Sequence, residues 1–213
     1  MNVISRSLLL PLILPLLLLL TAASPMLAID LPDGVSVGDK APDFVVKNID
    51  GRNVGLSSFQ DVEGVILIFT CNHCPYSKAY EDRIIALHKT WAAKGWPVLA
   101  VNPNDPKREP EDSFEKMQER AKEKEFPFPY AMDETQNVAK AYGARRTPHV
   151  FLLKKEKTGF RVVYIGAIDD NARDPESVET RFVSEAITAI KDGRQPDQSA
   201  TKAIGCTIKW REE

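Results

Sequence analysis

The chain has 213 residues, 43% hydrophobic and 27% charged, with a formal net charge of −2. That is enough for one domain with a proper core plus appendages, and the near-neutral charge gives no electrostatic footprint for a nucleic-acid partner. The 3 cysteines are an odd number, so any CxxC pairing leaves one thiol over.

Residues 1–28 read as a leader rather than as part of the fold. Arg6 lies in a short polar start, residues 8–20 are Leu, Ile and Pro, and small residues follow around Ala23 and Ala28. This is the order of a secretory signal peptide, cleaved after either alanine. An uncleaved N-terminal anchor, with membrane association, is the alternative; Pro11 and Pro15 interrupt the apolar run, which is short for a span. Both place the domain in an oxidising, extracytoplasmic space such as a bacterial periplasm, where a CxxC can exist as a disulfide.

Residues 31–37 read as a linker, 41–46 as a first strand, Asn48-Ile49-Asp50-Gly51-Arg52 as a turn and 53–56 as a returning strand. Residues 65–69 are continuously apolar, which predicts a strand covered on both faces. Tyr76, Tyr80, Ile84, Leu87 and Trp91 then recur at helical steps, with Glu81 off the stripe and Gly95 as the stop. Residues 97–101 predict a second central strand. Residues 111–125 predict a charged helix with Phe114, Met117 and Ala121 inward and its charges on a solvated face. Residues 126–130 are extended by their prolines. A short helix over 135–142 stops at Gly143, strands over 150–153 and 161–165 form a hairpin, and a helix over 176–191 closes at Gly193. This pattern predicts an α/β three-layer sandwich: a mixed central sheet, parallel in the middle with a hairpin at one edge, and helices on both faces. It spans 35–193, with 194–213 as a tail carrying the third cysteine.

Between the apolar strand and the first long helix stands Cys71-Asn72-His73-Cys74-Pro75. A dithiol at a strand-to-helix junction reads as a redox centre, because unpaired N–H groups and the helix dipole stabilise a thiolate there. Pro75 suits the first turn, and two intervening residues let the sulfurs bond. Cys71 is expected to be the nucleophile, at or just before the helix start and the more accessible sulfur; Cys74, one turn inside, is the expected resolving thiol. His73 favours the ionised, reduced form and makes the disulfide more oxidising. A zinc site would need a second ligand pair, and there is no second CxxC or HxxxH. A structural disulfide is the remaining alternative for the motif. Thr147-Pro148 opens the 150–153 strand. In a dithiol oxidoreductase a cis-proline loop lies against the CxxC and keeps a backbone edge open for a substrate chain, but a trans proline at a strand start fits the spacing as well.

Gly38-Asp39-Lys40-Ala41-Pro42-Asp43-Phe44, Phe69-Thr70-Cys71-Asn72-His73-Cys74-Pro75-Tyr76, Tyr142-Gly143-Ala144 with Thr147-Pro148, and the ending Gly205-Cys206-Thr207-Ile208-Lys209-Trp210 together resemble the thioredoxin superfamily. More closely they resemble its redoxin branch, of the alkyl hydroperoxide reductase/thiol-specific antioxidant type, with a CNHCPY active site. The resemblance implies a thioredoxin fold, a cis Pro148, and thiol–disulfide exchange through Cys71 and Cys74. Catalysis would rest on Cys71, Cys74, His73 and Pro148, with Thr147, Arg146 and His149 along the substrate edge and no cofactor.

Three departures stand out. The position three before Cys71 is Ile68, and three before Cys74 is Cys71, so the peroxidase hydroxyl pattern is not met. Residues 65–69 lack the buried acid that moves protons in thioredoxins. Arg146-Thr147-Pro148-His149 replaces the Cys-Thr-Pro-Asp common in this subgroup, adding positive charge that could favour the Cys71 thiolate. Cys206 either exchanges as a relay with Cys71 or a partner, or packs as a buried thiol among Ile204, Ile208 and Trp210. The expected function is an exported thiol–disulfide oxidoreductase acting on protein thiols with a redox partner. The alternatives are a thiol peroxidase, or a redoxin binding Cu(I) through Cys71, Cys74 and His73 or His149.

Overall fold

The structure is a computed structural model that describes Met1 and residues 34–212; the leader read from residues 1–28 lies outside the described residues. Among the described residues no helix is long and apolar enough to cross a membrane.

The apolar runs form the centre of the sheet. Strand β3 (Gly64–Phe69) is buried along its whole length and pairs in parallel with β4 (Val98–Asn102), Leu67 opposite Leu99. A parallel pair needs a crossover, and α1 (Pro75–Trp91) supplies it. β3 pairs on its other edge with β7 (His149–Lys155), antiparallel, and β7 with β8 (Phe160–Gly166) in the expected hairpin. Beyond β4 lie β5 (Tyr130–Met132), parallel, then β1 (Val46–Asn48) and β2 (Asn53–Val54), antiparallel. The order is β2-β1-β5-β4-β3-β7-β8.

Alternation along these strands sends side chains to two cores. Ile66, Ile68, Val98, Ala100, Val150 and Leu152 meet α1, α2 (Phe114–Glu123) and α4 (Phe182–Lys191). Val65, Leu67, Phe69, Leu99, Val101 and Phe151 meet α3 (Asn137–Tyr142), with Ile208 from the C-terminal segment. The predicted three-layer α/β sandwich with a mixed sheet is the observed fold.

Several boundaries moved. The first strand begins only at Val46. Helix α2 starts at Phe114, because Pro110–Asp112 forms a 3₁₀ turn and Ser113 is the cap, its Oγ accepting from Lys116 N at 3.4 Å. Helix α4 starts at Phe182; the stretch before it is a loop held by Asp170, which accepts from the N–H groups of Glu179 and Thr180. The solvated reading of the charged segment fails at Asp112, which is fully buried. Glu81 is buried too, taking Arg120 Nε at 2.8 Å and Nη2 at 2.5 Å.

Candidate active site

Helix α1 begins at Pro75, so Cys74 is its N-cap and Cys71 lies three residues upstream in the turn that leaves β3. Cys71 lies just before the helix and is the slightly more exposed sulfur, but the expectation that Cys74 lies one turn inside is corrected: Cys74 is the N-cap, at the N-terminal N–H groups and the dipole. Neither sulfur is accessible. Cys71 is 3% exposed and Cys74 fully buried, while Cys206 is half-buried.

A buried carboxylate from another part of the chain holds the motif in shape. Asp112 Oδ1 accepts from Asn72 N at 2.6 Å and His73 N at 3.3 Å. Its Oδ2 accepts from His73 Nδ1 at 2.6 Å and Asn104 Nδ2 at 2.7 Å. Asn72 is fixed in turn by Tyr130 OH, which donates to its Oδ1 at 3.0 Å, and by the Glu111 carbonyl, which accepts from its Nδ2 at 2.8 Å.

The second wall is the loop before β7. The Thr147–Pro148 peptide is cis. Thr147 touches both sulfurs: its Oγ1 lies 3.0 Å from Cys71 Sγ, and its carbonyl accepts from Cys74 Sγ at 3.2 Å. Cys71 Sγ also lies 3.5 Å from His73 Nδ1 and 3.7 Å from Ser77 Oγ. The backbone N–H of Cys206 donates to Cys74 Sγ at 3.4 Å. Residues 206–207 form β9 (Cys206–Thr207), antiparallel to β6 (Arg146–Thr147).

This geometry separates the two thiols in acidity. Cys74 is brought down to about 4 by the hydrogen bond from the Cys71 thiol, against the cost of its burial, with further help from the Cys206 thiol and the N–H groups of Ser77 and Cys206. Cys71 is pushed far up by burial, by its role as donor to Cys74, and by the Asp112 charge. Cys206 rises to about 11, through burial and then the Cys74 thiolate beside it.

The other anticipated residues divide. His73 lies at the site, linking Cys71 to Asp112. Arg146 acts on the C-terminal segment rather than on Cys71: its Nη1 donates to Gly205 O at 2.8 Å, and its charge bears on Cys206. His149 packs on Phe151 with ring centroids 4.7 Å apart and accepts from Arg145 N at 3.5 Å. Burial, then the Arg145 and Arg146 charges, bring its imidazole down to about 4. The donors grouped tightly enough for a metal among the described residues are Cys71, His73 and Asp112, not the Cys71, Cys74 and histidine set of the copper alternative. Asp112, Ser77, Asn104 and Tyr130 were missed. The available signal was Pro110, which opens a tight turn ahead of the Ser113 cap and takes Asp112 out of the helix.

A mixed sheet layered by helices, with its dithiol at the β3–α1 junction facing a cis-proline loop, defines a thioredoxin-like protein. The chain belongs to the AhpC/TSA family, which it matches over residues 37–165. It is 32% identical over 124 residues to a thiol-disulfide oxidoreductase ResA from Geobacillus thermodenitrificans, a match covering 57% of this chain and 65%, under two thirds, of that relative. A crystal structure of an uncharacterized conserved protein from Geobacillus kaustophilus is 35% identical with a TM-score of 0.76, covering 84% of this chain and 94% of that one. The thioredoxin domain of a thiol-disulfide oxidoreductase from Bacteroides vulgatus shares the fold, with a TM-score of 0.53 at 18% identity over 75% of this chain and 99% of its own.

Proposed function

We propose that this chain is an exported thiol–disulfide oxidoreductase that exchanges disulfides through Cys71 and Cys74. The observation that carries this reading is the Cys71–Cys74 dithiol at the β3–α1 junction, with Thr147, the residue before cis-Pro148, in contact with both sulfurs. The ResA relative supports the reaction class. The signal-like order of residues 1–28 supports export into a compartment where the disulfide persists.

The chemistry follows from the charges. One thiol of the pair attacks a disulfide sulfur as thiolate and forms a mixed disulfide, which removes its negative charge. Its partner was protonated partly because of that charge, so the remaining thiol now ionises more readily. The proton leaves to solvent, and His73, whose Nδ1–H is held by Asp112 and stands 3.5 Å from Cys71 Sγ, faces the thiolate when it forms on Cys71. That thiolate then attacks the mixed disulfide, closing the Cys71–Cys74 bond and releasing the other protein's thiolate. The acid absent from residues 65–69 is supplied by Asp112.

A stabilised thiolate favours the reduced enzyme and makes the disulfide oxidising. The Cys71–Cys74 potential is expected above that of thioredoxin, about −270 mV. Equilibration with glutathione, with the bridge mapped on peptides, measures it. Finding no Cys71–Cys74 bridge, or a Cys74→Ser protein that exchanges like wild type, refutes the assignment. No observation at the site favours the peroxidase or copper alternative.

A further inference from the structure

The edge that a substrate strand would use is already filled. β9 pairs with β6 so that Cys206 stands directly opposite Thr147, the residue before cis-Pro148. Through this pairing Cys206 takes the position of a client cysteine, its N–H on Cys74 Sγ at 3.4 Å.

We propose that the C-terminal strand is a built-in client, and that Cys206 forms a disulfide with Cys74 and carries it to the surface. This rests on the oxidoreductase reading above. Gly205 shows how closely the strand is fitted: a Cβ there would fall 2.1 Å from Thr147 O, so only glycine allows the approach. Both flanks are fastened. Arg146 holds Gly205 O. Lys209 N donates to Asn104 Oδ1 at 2.8 Å, and Lys209 O accepts from Asp105 N and Gln136 Nε2, each at 2.9 Å. Ile208 is buried in the core beside α3. Of the three thiols, Cys206 alone is half-exposed.

The exchange balances as follows. With Cys71–Cys74 oxidised, Cys206 gives its proton to solvent and its thiolate attacks Cys74 Sγ. The Cys74–Cys206 bond forms, the Cys71–Cys74 bond breaks, and Cys71 leaves with the electron pair and takes up a proton. A client thiolate next attacks Cys206 Sγ at the surface, and Cys74 departs as thiolate. A second client thiol closes the client disulfide and returns Cys206 as a thiol. The client loses two electrons and two protons, the protein gains a reduced dithiol, and a disulfide-bearing redox partner reoxidises it. The reverse sequence reduces a client disulfide.

The test uses full-length protein in glutathione buffer, acid-quenched, alkylated and mapped on peptides. Cys71→Ser is expected to form a Cys74–Cys206 bridge. Cys206→Ser keeps the strand but lacks the shuttle, and is expected to exchange with glutathione disulfide at least tenfold more slowly than wild type. A Cys71→Ser protein with glutathione on Cys74 and no Cys206 bridge overturns the proposal, as does Cys206→Ser exchanging at the wild-type rate. In those cases a Cys74→Ser protein that has lost exchange leaves the oxidoreductase reading standing. If Cys74→Ser also exchanges normally, both readings fall.

Discussion

Replacing Asp112 with asparagine tests whether its carboxylate organises the site. The side chain is fully buried and accepts three short bonds, from Asn72 N, His73 Nδ1 and Asn104 Nδ2, plus a longer one from His73 N. A buried donor left without an acceptor costs about 1–3 kcal/mol. The amide keeps one acceptor oxygen and turns an NH2 toward the remaining donors, so the loss falls at about 2–4 kcal/mol. With a urea slope of about 2 kcal/mol per M, the unfolding midpoint drops by about 1–2 M. The same substitution removes a charge that holds the Cys71 thiol up, so Cys71 should ionise at lower pH. Urea unfolding of the reduced proteins and alkylation of Cys71 against pH read the two effects. A variant within about 0.5 kcal/mol of wild type, with Cys71 alkylation unmoved, would show that Asp112 neither supports the motif nor acts on the thiols.

The reduced protein should show thiolate ultraviolet absorbance titrating near pH 4 that disappears in Cys74→Ser. Because this folded-state value lies below that of an unfolded thiol, the contribution to reduced-state stability is complete above the unfolded value and is lost as pH falls through about 4. The stability of the reduced protein relative to the oxidised one should therefore rise with pH across that window; a flat difference refutes the assignment. Thr147→Val removes the hydroxyl 3.0 Å from Cys71 Sγ, which helps hold that thiol down; alkylation of Cys71 should move to higher pH, with a stability loss of about 1 kcal/mol. Glu81→Ala strips the buried partner from Arg120, and since that guanidinium remains partly exposed and keeps Glu123, denaturant unfolding should show a loss of about 2–3 kcal/mol.

What could be read from the chain alone was whatever burial on both faces writes into consecutive residues. β3, β4 and residues 150–153 of β7 are continuous apolar runs because helices or loops cover both of their sides, the edge strand β8 alternates in burial, and α1 shows its buried stripe from Tyr80 to Trp91. Gly95 and Gly143 mark helix stops because each adopts a positive φ, 83° and 68°. Asp112 was illegible for the opposite reason: its partners Asn72 and His73 lie about 40 residues away, and a buried acid in an acidic stretch has no periodicity to betray it. The β6–β9 ladder pairs only two residues on each side, too few for alternation to register. The dithiol was legible, and only the place of Cys74 relative to the helix was misread. Proline at the first helical position makes the residue before it the N-cap, and Pro75 therefore places Cys74, not Cys71, where the dipole acts.

That one-turn correction changes what the site can do. Exchange needs a good leaving thiolate, an attacking thiol and access to solvent, and here these requirements fall on different residues. Cys74, at about 4, is an excellent leaving group and is fully buried. Cys206 is half-exposed, and the Cys74 thiolate helps keep it protonated at about 11, a constraint released whenever Cys74 is in a disulfide. In a Cys74–Cys206 bond the reachable sulfur is that of Cys206, and the electron pair leaves on Cys74. In the proposed relay an incoming thiol attacks at the surface and expels Cys74 as the thiolate. For that relay the expected direction is from client to enzyme, and the Cys71–Cys74 potential is the measurement that decides it, a value at or below that of thioredoxin refuting the expectation.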